Sequence, residues 1–153
     1  MAEGGKVLPV QGSGEIRGDV HVFPLRVYYE DTDTAGIVYY ANYLKFAERA
    51  RTELLRLLGF EQHVLFEQHG VGFVVRNCEI DYRLPARLDD ALEVHSRMLE
   101  IGGASLRTEQ VVRRDGTDLA RLRLRVACMS RDGQAARIPT PLLETLRSIS
   151  SPN

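Results

Sequence analysis

The sequence predicts an α+β layer fold in which an antiparallel sheet curls over one long helix, and three observations carry the expectation. Residues 42–58 hold apolar side chains at helical spacing along one face. Beyond residue 70 the chain reads as strands, with apolar and polar residues alternating. The turns around those strands are short and marked by Gly102-Gly103, Asp115-Gly116 and Asp132-Gly133, so neighbours pair antiparallel. A lone helix with a wide apolar stripe has to be covered, and the sheet that follows it is the available surface.

The elements follow in chain order. Phe23, Leu25, Val27 and Tyr29 alternate with Pro24, Arg26 and Tyr28, the period of a strand, and Pro24 marks its start or an edge. Residues 30–38 read EDTDTAGIV, a loop whose polar density makes it the first place to look for chemistry. In the helix, Tyr43, Phe46, Ala47, Ala50, Leu54, Leu57 and Leu58 form the apolar face. Arg49 and Glu53 are placed to pair at i,i+4, Asn42 to act as an N-cap, and Gly59 to close the helix in the left-handed conformation. A shorter helical piece over 61–68 is ended by Gly70.

Over 74–84, Val74, Cys78, Ile80, Tyr82 and Leu84 share one strand face and Glu79, Asp81 and Arg83 the other, with Arg76 out of phase. Strands over 91–101, 105–114 and 119–130 complete the sheet. In the last, Leu122, Leu124, Val126 and Cys128 face one way, and Arg121, Arg123 and Arg125 face acids such as Glu109. Thr140-Pro141 reads as the cap and first turn of a terminal helix.

Length and composition set limits on function. At 153 residues the chain fits one domain, expected over 21–148, between a glycine-rich flexible leader (1–20) and a flexible tail (149–153). Lys plus Arg number 20 against 21 Asp plus Glu, so no positive field exists to attract a nucleic acid. The sequence shows neither a secretory signal nor a membrane-spanning apolar run, and membrane insertion is excluded, so a cytoplasmic location is expected. Cys78 and Cys128 lie in apolar strands as small hydrophobes, consistent with a reducing compartment.

Several chemistries fail at the level of motif. No phosphate-cradling loop occurs: Gly12-Ser13-Gly14 is followed by Arg17, and Gly70-Val71-Gly72 by Val75, where a third glycine is needed. Arg107 stands where a serine nucleophile elbow at Ser105 needs glycine. His21, His63, His69 and His95 are scattered, so neither a metal nor any other cofactor is expected.

The stretch 28–56, YYEDTDTAGIVYYANYLKFAERARTELLR, resembles the hotdog-fold acyl-CoA thioesterases. The likeness is to the subfamily encoded beside the Tol-Pal envelope system and to its relative 4-hydroxybenzoyl-CoA thioesterase. It is carried by the pattern D-x-D-x-x-G-[IV]-V-[YW] running into a long helix, and extends from about residue 22 to 146. The resemblance implies a curved sheet around a central helix, a homodimer joined edge to edge, often a dimer of dimers, and active sites at the dimer interface.

It also implies roles. The catalytic carboxylate falls on Asp33, and the amide that polarises the thioester carbonyl falls on Tyr40. Phe73, Val74 and Val75 match the lining of the acyl end of the pocket, and Arg137 a phosphate-contacting arginine. Near Ser105 the relative carries basic residues that grip coenzyme A; here Gly102, Gly103 and Ala104 stand instead, which leaves room for an acyl carrier protein as donor. Glu48 is the reserve catalyst, because another hotdog branch uses an acid on the central helix; otherwise it pairs with Arg49 or Arg51, while Asp31 is read as a turn or surface acid.

The chemistry stands on its own terms. A thioester carbonyl needs a nucleophile or a base that activates water, and donors aimed at the developing oxyanion. Asp33 offers the first, a helix N-terminus with unspent N–H groups the second, and Gly36 allows a turn or close approach between them. Two other classes remain: a non-catalytic acyl-chain or partner-binding module, and a hotdog dehydratase, for which no histidine lies near the loop.

Overall fold

The computed structural model describes residues 12–150. Its central feature is α1 (Asn42–Leu57), whose Tyr43, Phe46, Ala47, Ala50 and Leu54 are buried at three- and four-residue spacing. The helix stops where Gly59 takes a φ of 90°. One detail departs from the expected stripe: Leu57 is 42% exposed, whereas Leu55 is buried. The reason is a second apolar cluster, formed with the C-terminal helix, which draws Leu55 inward beside Leu142, Leu143 and Leu146.

Six strands make one antiparallel sheet: β1 (Glu15–Arg17), β2 (Val20–Arg26), β3 (Val71–Tyr82), β4 (Ala91–Ile101), β5 (Ser105–Arg114) and β6 (Thr117–Ser130). Their spatial order is β1-β2-β4-β5-β6-β3, so the twelve residues of β3 form an open edge. A short helix, α2 (Gln62–Val64), runs into a single wide turn (Leu65–His69) ended by Gly70, and α3 (Thr140–Ser150) closes the described chain. No helix among the described residues is long and apolar enough to cross a membrane.

Two expectations are corrected here. The leader was expected to be structureless to residue 20, yet β1 pairs with β2 from Glu15 onward, and Ser13 Oγ donates to Glu53 Oε1 at 2.8 Å. The remainder of that leader lies outside the described residues, as do 151–153, while 149–150 are helical. In β3 the register shifts between Val75 and Asn77, so Arg76 is a bulge residue. The extra residue changes the face: Phe73 and Val75, not Val74, lie opposite the buried Cys128 and Val126 and share the inner side with Cys78 and Ile80.

Helix and sheet meet across polar as well as apolar contacts. Ser96 lies opposite both His21 and Gln110, so the three form a row beneath α1. Gln110, fully buried, donates through Nε2 to Ala47 O and to Ser96 Oγ, both at 2.9 Å, and accepts from Arg51 Nη1 at 2.9 Å. On the outer face, buried Glu109 meets Arg97, Arg121 and Arg123 at 3.3 Å each. Arg125 instead lies directly opposite Arg107.

His21 is 1% exposed; its Nε2 contacts Ser13 O at 2.7 Å while Nδ1 has no partner among the described residues. A carbonyl only accepts, so Nε2 carries the hydrogen and Nδ1 is bare. Burial, the largest influence, holds the His21 pKa below its ordinary 6.5, against opposing effects of Ser13 and Glu53. Above pH 6.5 the neutral ring costs nothing; as pH falls below it the unfolded chain takes the proton first, and stability drops. The His21→Gln variant is therefore expected to lose less melting temperature than the parent between pH 7 and pH 5. The removed slope is at most about 1.4 kcal/mol per pH unit, measured by thermal unfolding across that range.

Candidate active site

Between β2 and α1 the loop is pinned from inside. A single turn (Tyr29–Asp31) places Asp31, 2% exposed, so that Oδ2 accepts from Tyr28 N and Oδ1 from Asn42 Nδ2, both at 2.8 Å. Asp31 is thus a buried anchor, not a surface acid. Asn42 spends its side chain on that anchor instead of capping its own helix, whose N-cap is Ala41. The Asp31 carbonyl also accepts from Tyr39 N at 3.0 Å, and a bridge between Thr32 and Val38 closes the loop above it.

The closed loop presents Asp33. Its carboxylate is exposed, with Oδ1 accepting from Ala35 N at 2.8 Å and Ile37 N at 3.4 Å, while Oδ2 has no hydrogen bond among the described residues. Gly36 makes the turn with a φ of 79°. Nothing stands within 4 Å of where its Cβ would be, so backbone conformation, not close approach, calls for glycine. Tyr40 lies two residues before the first residue of α1; its carbonyl accepts from Tyr82 Oη at 2.9 Å and its N–H has no acceptor among the described residues. Beside it runs a shallow groove of about 360 Å³ lined by Ile37, Tyr40, Tyr43 and Tyr82. Asp33 lines neither this groove nor the cavity between α1, the sheet and α3.

A second cavity, about 330 Å³, opens between α1, the sheet and α3. Phe73, Val74 and Val75 all line it, together with Leu54, Leu106 and Leu146. Glu48 lines it too and pairs with neither Arg49 nor Arg51. The expected Arg49–Glu53 pair is likewise absent, because Glu53 is taken by Arg56 at 2.6 Å and by Ser13. Arg51, Thr108 and Gln110 were not singled out from sequence. The signal was there: Thr108 and Gln110 are polar residues in phase with Leu106 and Val112 on an inward strand face.

Arg137 lies against Gly103, two residues before Ser105, at one corner of the sheet. Ile138 N donates to Gly103 O at 2.8 Å, and a Cβ on Gly103 would fall 3.1 Å from both Arg137 Nη atoms. The Arg137 guanidinium thus stands where a side chain at position 103 would project.

This sheet, helix and acidic loop define a thioesterase-type hotdog domain, and comparison with known proteins agrees. Residues 27–146 match the model of the thioesterase-like superfamily, and the chain belongs to that family. It is 49% identical over 107 residues to the acyl-CoA thioesterase YbgC of Haemophilus influenzae, covering 70% of this chain and 79% of that one. With the acyl-CoA thioester hydrolase YbgC of Escherichia coli it shares 45% over 108 residues, 70% and 80% of the two chains. A probable thioesterase from Bartonella henselae superposes with a TM-score of 0.76 at 36% identity, over 78% of this chain and 99% of the other.

Removing the Asn42 amide tests the anchor. Asn42→Ala leaves a buried charged oxygen without its donor and is expected to cost roughly 1–3 kcal/mol, read from denaturant unfolding. Substitution of exposed Thr34 by alanine is expected to cost under about 0.5 kcal/mol.

Proposed function

We propose that the chain hydrolyses the thioester of acyl-CoA to a free acid and coenzyme A, with Asp33 as catalytic carboxylate and the Tyr40 N–H as oxyanion donor. The observation that carries the reading is the pairing, on one pinned loop of a thioesterase-family chain, of a carboxylate oxygen and an amide that both lack partners among the described residues. Asp33 takes a proton from water as that water adds to the carbonyl, and the oxyanion forms against Tyr40 N–H. Collapse of the tetrahedral intermediate expels the sulfur, which leaves as thiol with the proton. Direct attack by Asp33, giving a mixed anhydride that water then cleaves, uses the same two groups.

Asp33 is exposed in the single chain, and a second copy is proposed to cover it. β3 offers an unpaired edge of twelve residues with Val74, Val75 and Tyr82 exposed. Tyr28, Tyr29, Tyr39 and Tyr40, between 48% and 83% exposed, surround the loop. Such a surface supports edge-to-edge pairing of two sheets, and a dimer of dimers is the further assembly proposed. Ser105 and Arg137 are assigned to the coenzyme A phosphates; an acyl carrier protein is the alternative donor, since one guanidinium is a weak clamp for a nucleotide.

One observation favours a second reading. Among the described residues Glu48 lines the cavity between α1, the sheet and α3 without an ion pair, and as a base on water there it would replace Asp33. The two acids separate by substitution. Asp33→Asn is expected to lower kcat roughly a hundredfold or more at unchanged melting temperature, and Glu48→Gln to lower it far less, measured by thiol release from acyl-CoAs of several lengths. The reverse ranking assigns the chemistry to Glu48. A parent that binds acyl-CoA but releases no thiol from any of them is a binding module, not an enzyme.

A further inference from the structure

The cavity between α1, the sheet and α3 holds a cation with no counter-ion among the described residues. Arg51 is half-buried, and among the described residues it makes one hydrogen bond, from Nη1 to Gln110 Oε1, and no ion pair. Gln110 is itself fixed, because both its amide hydrogens are directed to Ala47 O and Ser96 Oγ. The Arg51 guanidinium is therefore held at the wall with Nε and Nη2 unspent. Glu48, the acid on the same cavity, forms no ion pair with it. Burial holds the Arg51 pKa below its ordinary value, with Glu48 opposing. A guanidinium withdrawn from water without an anion is costly, and the cost is recovered when an anion arrives.

Thr108 adds a second unmet group. It lines the same cavity, is 2% exposed, and its Oγ1 has no hydrogen-bond partner among the described residues. Thr108 and Gln110 occupy alternate positions of β5, so they stand roughly 7 Å apart on one face, a separation that Arg51 and a small ligand can bridge. The remaining walls include Leu54, Phe73, Leu106, Val126 and Leu146, which suit an alkyl chain. An apolar sleeve with unmet donors at one wall fits a chain that ends in an acceptor. A carboxylate matches the guanidinium fork with two oxygens and still has lone pairs for a hydroxyl.

We propose that this cavity selects acyl groups ending in a carboxylate, the monothioesters of short dicarboxylic acids, with Arg51 as the specificity-determining residue and Thr108 as its support. The proposal rests on the thioesterase reading and narrows its substrate class. A charge-assisted contact that the methyl-ended chain cannot make discriminates by tenfold or more, because the methyl leaves the cation unpaired.

The test is equilibrium binding of two coenzyme A analogues in which an amide replaces the thioester, one carrying a glutaryl and the other a pentanoyl chain. Calorimetry is expected to give the parent about a tenfold or greater preference for the glutaryl analogue. Arg51→Met is expected to abolish the preference, and Arg51→Lys to keep part of it. Thr108→Val removes a buried hydroxyl that has no partner among the described residues; it is expected to keep or raise the melting temperature while shrinking the preference severalfold. That variant answers the question even if Arg51→Met folds poorly. Equal affinity of the parent for both analogues, failure to bind the glutaryl analogue, or a preference untouched in folded Arg51→Met or Thr108→Val overturns the proposal. Neither analogue is turned over, so these results are independent of thiol release, on which the thioesterase reading stands.

Discussion

Asp31 has two carboxylate oxygens and both are spent inside the fold, one on the backbone before the loop and one on the first residue of the helix after it. Its main-chain oxygen holds the loop at a third point, Tyr39. A buried carboxylate tolerates few alternatives, because any loop conformation that gives up one of these donors leaves a charge desolvated and underbonded. The neighbouring Asp33 and Tyr40 inherit that restriction. Their positions relative to each other follow from the anchor, so an exposed acidic loop is held in one arrangement, the preorganisation that the proposed oxyanion contact would need.

The aromatic residues extend the same logic outward. Tyr43 accepts from Ala86 N and packs edge-on against Phe46 in the core and Tyr82 above it; Tyr82 in turn donates to the Tyr40 carbonyl and sits edge-on to its ring. The amide before the helix is thereby linked through three rings to the apolar centre of the molecule. Core packing and site geometry are one structure here, and a cavity opened at Phe46 would be felt at Tyr40.

Much of this was legible in the sequence, and where it was not the reasons are physical. Strands β4 and β5 begin and end where their alternation and flanking turns put them, and α1 runs over the stretch marked by its stripe and by Gly59. β1 escaped notice because three residues between glycines carry no measurable period, and it exists through pairing with β2. The identity of Asn42 suggested a cap, but a buried carboxylate outcompeted the helix for its amide. Glu48 and Arg51 have the right spacing for an ion pair and do not form one, since Arg51 is directed inward to Gln110. Asp33 and Tyr40 stand in one local motif, which a sequence displays directly; the polar wall of the cavity joins α1 to β5 and no local pattern encodes that.

The bulge at Arg76 divides β3 into two halves with opposite parity. One surplus residue lets Phe73 and Val75 look inward together with Cys78 and Ile80, although odd and even numbers would otherwise exclude each other. Length at this position therefore matters more than chemistry. Exchanging the arginine for another long polar side chain leaves the phase intact, whereas excising it would turn one half of the strand inside out, carrying charge toward the helix or phenylalanine toward solvent. A chain that descends from this one by drift can rewrite position 76 freely, but it cannot drop it.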